Sequence, residues 1–130
     1  MNTSVKLSEQ VLNHFFRNGK ITAPTTVYLA LYTTNPTKND VGIEAKGGGY
    51  KRMPITFGAP TTTGKITVSN TNTVQFPLAT EDWGNMSHFG IRSAATGGDL
   101  LAFGAFPVPK LIQLDDEAKF APGSITVEHI

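Results

Sequence analysis

The side chains of this chain able to act on a substrate or hold a ligand are few, and their spacing argues against most of the chemistry they could do. His14, His88 and His129 lie far apart. A histidine metal site or acid/base pair needs a second ligand at helical i,i+4 spacing or a carboxylate at a recognisable ligand spacing, and none of the three has either. Each reads instead as a packing or surface group, with His88, between Ser87 and Phe89, a neutral strand histidine with one satisfied ring nitrogen. Asp115-Asp116-Glu117 supplies oxygens but not the alternating ligands and turn glycine of a calcium loop, so it reads as a solvated turn. Glu81-Asp82 beside Trp83 is the acid and aromatic pairing found at sugar sites, without a second carboxylate at a defined separation. The competing reading has Asp82 bonding its own turn while Trp83 plugs one end of the fold. Gly47-Gly48-Gly49 is followed by Tyr50 rather than by a lysine and a helix, so it is a flexible turn and not a phosphate cradle. No serine sits in a nucleophile elbow, and cysteine is absent, which removes thiolates, disulfides and cysteine zinc sites. The expectation is a protein without catalytic residues, cofactor or metal.

The elements that would position these residues are mostly strands. The chain has 130 residues, the size of a single domain, and we read it as one, residues 1–130. Residues 1–19 form the one convincing helix: Thr3 or Ser4 caps it, Val5, Leu12, Phe15 and Phe16 recur at helical spacing with Leu7 and Val11 beside them, and Gly19 ends it. Its apolar stripe needs a cover, either an open end of its own sandwich or a neighbouring subunit. From residue 24 to 130 the pattern alternates. Val27, Leu29 and Leu31 fall on one face of a strand and Tyr28, Ala30 and Tyr32 on the other, both suited to burial. A long turn-rich loop, 34–49, follows and reads as mobile or functional.

Further strands are expected at 50–57, 65–69, 73–76, 87–92, 100–106, 110–114 and 124–129, with a hairpin turn at 94–99. Pro54, Pro77, Pro107 and Pro109 cannot donate to a ladder and mark edges or corners. The expected fold is mainly β, an antiparallel β-sandwich of jelly-roll type with one N-terminal helix. Within it, Trp83, Phe89, Ile91, Leu101 and Phe103 should share one buried cluster.

Lys and Arg number 11 against 10 Asp and Glu, and charged residues make up only 16% of the chain, below the roughly 25% usual for globular proteins. Nothing in that balance suits a nucleic acid backbone. No stretch is long and apolar enough to cross a bilayer, and the first residues lack the order of a signal peptide, so neither nucleic acid nor membrane is an expected partner. A weakly charged surface rich in Thr and Asn suits contact with other proteins.

The ordered set Ala79-Thr80, Asp82-Trp83-Gly84, His88-Phe89-Gly90-Ile91, Gly97-Gly98, Leu100-Leu101 and Gly104 resembles a family of short tailed-phage virion proteins labelled phage tail fibre proteins. Residues 26–33, Gly47-Gly48-Gly49-Tyr50 through Thr56-Phe57-Gly58, and the run 120–127 extend the resemblance across nearly the whole chain. It implies a virion component without catalysis, assembled in the host bacterial cytoplasm and bound to other virion proteins of capsid or tail. We expect a homo-oligomer, a trimer, decorating the capsid or associated with the tail; the alternative is a receptor- or glycan-binding module at a fibre tip. The candidate contact residues are Trp83, Phe15, Phe16, Gly47, Gly48, Gly49 and Tyr50. The helix and the 34–49 loop are the two candidate attachment elements.

Overall fold

A computed structural model of the chain describes residues 2–128. Its elements run β1 (Asn2–Thr3), α1 (Val5–Phe16), β2 (Val27–Tyr32), β3 (Met53–Ile55), β4 (Thr67–Ser69), β5 (Val74–Gln75), β6 (Gly84–Arg92), β7 (Leu100–Ile112), β8 (Lys119–Phe120) and β9 (Thr126–Glu128). Five strands form one sheet in the order β1-β7-β6-β2-β3, while β4 pairs with β9 and β5 with β8 as two short ribbons. Every pairing is antiparallel. The mainly β antiparallel class with one helix is as expected. The strands divide five, two and two, rather than into the two four-stranded sheets of a jelly roll. His129 and the end of the 124–129 strand lie outside the described residues.

Strand periodicity assigns the sheet two faces with different covers. On one face Leu29 and Leu31 of β2 pair with Ile91 and Phe89 of β6, which pair in turn with Ala102 and Gly104 of β7. Leu29, Leu31, Phe89, Ile91 and Ala102 join Val74, Phe76, Trp83, Phe120 and Ile125 in a single buried cluster, so the ribbons close over this face. On the other face Ala30, Tyr32, Gly90, Arg92 and Phe103 are buried as well. Their cover is the connection between β2 and β3, where Pro36 is fully buried and a Cβ on Gly42 would lie 3.0 Å from the Tyr32 ring. Both faces of β2 are therefore buried, as its sequence predicts. Gly90 is required by crowding: a Cβ there would stand 2.8 Å from both Leu100 and Tyr32 side chains.

Several expectations are corrected. Leu101 and Phe103 are not in the Trp83 cluster; Ala102 and Phe106 are. Antiparallel partners of Phe89 and Ile91 are Gly104 and Ala102, so residues of opposite parity share the face. The two strands expected at 100–106 and 110–114 are one strand, β7. Pro107 and Pro109 do not turn a corner: His88 pairs with Ala105 and Met86 with Lys110, so Ser87 faces a bulge formed by residues 106–109, where no ladder donor is needed. Pro54 does lie on an edge strand, β3.

The helix is shorter than the 1–19 segment and covers no open end of the sandwich. Its start is anchored: Ser4 is buried, its N–H donates to Leu101 O (2.8 Å), and its hydroxyl accepts from Leu7 N (3.1 Å). Val5 N donates to Lys38 O at 3.0 Å. Beyond that anchor no residue of α1 is buried. Nor is the 34–49 loop loose. Thr33 N donates to Ile43 O, Ala45 N to Leu31 O and Val41 N to Pro36 O, which fold it into a hydrogen-bonded flap.

Candidate functional site

The residues the sequence singles out fall into two groups. The first is built around Gly48. Trp83 leads into β6, and its indole N–H donates to Gly48 O at 2.9 Å; Thr80 N donates to the same oxygen. Gly48 has φ +53°, and a Cβ on it would lie 2.9 Å from the indole nitrogen. Only glycine suits both the conformation and the approach. Tyr50 N donates back to Gly47 O, closing the Gly47-Gly48-Gly49 turn, and the Tyr50 ring meets Trp83 edge-on at 5.3 Å. Trp83 is 5% exposed. Gly47, Gly48, Gly49, Tyr50 and Trp83 thus form one internal assembly that seats the start of β3 on the core, with the tryptophan inside it.

From Tyr50 the assembly continues into a polar clamp that the sequence reading missed. The Tyr50 hydroxyl donates to Glu44 Oε2 (2.6 Å) and accepts from Leu31 N (3.0 Å). Arg52 grips both oxygens of Glu44, at 2.9 and 2.8 Å, and donates through Nη1 to Ala94 O and Gly97 O. A second arginine approaches the same hairpin tip from the other side. Arg92 donates to Asp40 Oδ1 (2.6 Å), Tyr32 Oη (3.2 Å) and Gly98 O (3.0 Å). The two guanidiniums bind the 94–98 tip to the 34–49 flap, with the planar fork of Arg52 matched to a carboxylate.

Burial, followed by the Glu44 hydrogen bond and charge, pushes the Tyr50 hydroxyl well above the ordinary tyrosine range; burial also raises Tyr32, against the opposing charge of Arg92. The Glu44 hydrogen bond raises Arg52 against its burial. Burial opposes the charge on Arg92, but hydrogen bonds to Asp40 and Tyr32 outweigh it. Near neutral pH these tyrosines stay neutral and these arginines charged, so the clamp fixes backbone rather than exchanging protons. Among the described residues no group of three or more metal-ligating side chains exists. No local pattern marks Arg52 and Arg92 in the sequence, because their carboxylate partners and the carbonyls they hold come from distant loops.

The second group stands apart. Phe15 and Phe16 are 73% and 80% exposed at the last turn of α1, Leu12 is exposed behind them, and residues 20–26 are exposed throughout. Together they make an arm whose outer apolar residues are bare, while Leu7 and Val11 of the same helix are half-buried. A groove of about 400 Å³ lies elsewhere on the surface, walled by Phe89, Phe106, Phe120 and Ile125. The Phe106 and Phe120 rings stack at 5.6 Å, and Lys110 Nζ sits 5.4 Å from the Phe120 centroid.

The family model for the podophage GP4 fiber I protein gp80 matches residues 2–128. The chain belongs to that family. No individual curated protein matches it significantly. The resemblance carried by Asp82-Trp83-Gly84 and the following hairpin is borne out, and the chain is a phage fibre structural protein, a virion component that associates with other virion proteins. A structural family of this kind points to a role without catalysis. In this fibre protein the family-like segments 47–50, 82–84 and 97–98 are the ones the Gly48 assembly and the arginine clamp tie together. No helix among the described residues is long and apolar enough to cross a membrane.

Proposed function

We propose that the fibre protein is a non-enzymatic homo-oligomeric module, a trimer, mounted on the capsid or tail surface through its N-terminal arm. The observation that carries this reading is the bare apolar side of α1. A helix of twelve residues is marginal in water by itself and gains its stability from packing an apolar face, yet here Leu12, Phe15 and Phe16 stay largely exposed, with Phe15 meeting only the His14 ring edge-on at 4.8 Å. Phage particles present their components in symmetric repeats, which multiply weak contacts. The glycan-binding alternative loses its anchor, since Trp83 is internal and its N–H is already used.

Analytical ultracentrifugation across a concentration series tests the reading. The wild type should sediment as a trimer, and the double variant Phe15→Ser, Phe16→Ser as a monomer. Because both side chains face solvent, their loss should leave the monomer's unfolding free energy within about 0.5 kcal/mol. A wild type that remains monomeric at every concentration would refute the oligomeric module.

A further inference from the structure

We propose that neighbouring copies exchange the starts of their arms, so that each body holds β1 and the first turn of α1 from the next copy. This rests on the oligomeric reading above and names the element that joins the copies. The seat is visible within a single chain. β1 completes the edge of the five-stranded sheet by pairing with Ala102 and Phe103 of β7, Thr3 and Ser4 are buried there, and Ser4 N and Val5 N donate to Leu101 O and Lys38 O. Lys6 and Glu9 of the arm line one surface depression with Lys38, Asp40 and Asp99 of the body, so charges of both signs meet on each side of the seat or across it. The seat is made for these residues, and a second copy carries the same ones.

The linker allows either copy to supply them. Residues 20–26 are exposed throughout, and among the described residues no backbone hydrogen bond ties them to the body. Ala23 precedes Pro24, whose ring biases it to extended backbone, and Thr25 and Thr26 are β-branched, so the segment favours extension over a tight return. Residues 17–26 span at most about 33 Å when extended. The twelve residues of α1 add about 18 Å, whereas a domain of this length is roughly 36 Å across. The arm therefore reaches the seat on an adjacent copy.

Exchange keeps every contact of the seat, because the closed and the swapped pairings are the same. The closed form gains from being intramolecular: an effective concentration in the millimolar range is worth about a thousandfold at micromolar protein. The swapped form gains from what the closed form leaves bare. α1 then crosses between two bodies, where Leu12, Phe15 and Phe16, which are 57%, 73% and 80% exposed in the single chain, become covered. Burying each such side chain is worth at least about tenfold in an equilibrium constant, so the three together match or exceed the intramolecular advantage. A ring in which every chain gives one arm and receives one leaves no seat empty and adds the gain of repeated contacts.

The chain contains no cysteine, so one engineered disulfide reports which copy supplies β1. Thr3 and Ala102 are Cα partners, and since Ser4 N bonds Leu101 O, theirs is a non-hydrogen-bonded pair of the ladder, with Cα atoms about 4.5 Å apart and within disulfide reach. The double variant Thr3→Cys, Ala102→Cys is oxidised at a concentration where the wild type sediments as an oligomer, then run on a denaturing gel without reductant. Covalent dimers and trimers are expected, at least tenfold over monomer whose two thiols are joined internally. Both positions are buried, so an exposed pair guards against misfolding: Val5→Cys, Lys38→Cys, bridged by a short bis-maleimide, should give the same interchain products. Internally bridged monomers as the main product of either folded variant would overturn the exchange while leaving an oligomeric module standing. Failure of both pairs to bridge at all would mean that β1 is not seated on β7, which overturns the exchange as well. A wild type that sediments as a monomer would overturn the module itself.

Discussion

The 34–49 flap and the N-terminal arm are both long, irregular in part, and rich in exposed apolar residues, yet one is fastened and the other is not. Val41 and Ile43 of the flap are as bare as Leu12 of the arm. The difference lies in polar chemistry. The flap carries Glu44 and Asp40 to Arg52 and Arg92, whose side chains are about nine-tenths buried, and satisfies its backbone against Leu31 and Thr33. The arm is anchored through Ser4 and Val5, and beyond that turn its hydrogen bonds stay within the arm itself. Exposed apolar residues alone therefore do not distinguish a closed loop from an open contact surface; where the hydrogen bonds go does.

The comparison breaks most severely at the residue joining flap to core. Trp83→Ala removes a buried indole that meets Tyr50 and Phe76 and frees Gly48 O of its donor. Cavity formation on this scale costs about 3–5 kcal/mol. Urea unfolding measures it, and a loss below about 1 kcal/mol would mean that the Gly47–Tyr50 turn holds its place without the indole.

A smaller loss is expected at Asp40, which ties the flap to Arg92. Asp40→Ala leaves Arg92 with Tyr32 Oη and Gly98 O but without its carboxylate. A hydrogen bond between charged partners is worth about 1.5–3 kcal/mol, and Asp40 is 37% exposed at its side chain, so screening brings the expectation to about 1–2 kcal/mol. Asp40→Asn, which keeps a neutral acceptor, should lose less. Amide exchange across residues 34–43 should quicken in the alanine variant and remain as in the wild type on the arm; equal quickening in both would erase the distinction between flap and arm.

These expectations also show what the sequence discloses. Alternation from Val27 to Tyr32 marks β2 and the burial of both its faces, and the Gly97-Gly98 turn marks the hairpin, because those signals are local. The face on which Leu101 and Phe103 lie is not local: it depends on the β6–β7 register and its irregularities near Ile91 and Ser87. Pro107 and Pro109 read as breaks because the sequence does not reveal that residues 106–109 sit outside the ladder. Trp83 is legible as a buried plug, but Asp82 does not bond its own turn as expected: it accepts from Leu114 N at 2.8 Å, in a turn 32 residues away that no local signal connects to it. The clamp is not legible, because Glu44, Arg52, Asp40 and Arg92 acquire meaning only once loops far apart in sequence meet.

The smallest expected effect concerns His88, on the sheet face whose other polar residues the flap covers. Its Nδ1 lies 2.7 Å from Ser87 Oγ, and burial lowers its pKa from the ordinary 6.5. The unfolded chain therefore binds more protons than the folded one between the folded pKa and about 6.5, so stability rises with pH across that window. The contribution is whole above about 6.5, declines as pH falls through the folded pKa, and is constant below it. The ring is only half-buried, so the slope is modest. His88→Gln keeps a polar side chain of similar reach and removes the titration. The difference in unfolding free energy between wild type and variant should shrink from about pH 7.5 to pH 5, whereas a difference that grows on acidification would mean that the fold stabilises the imidazolium.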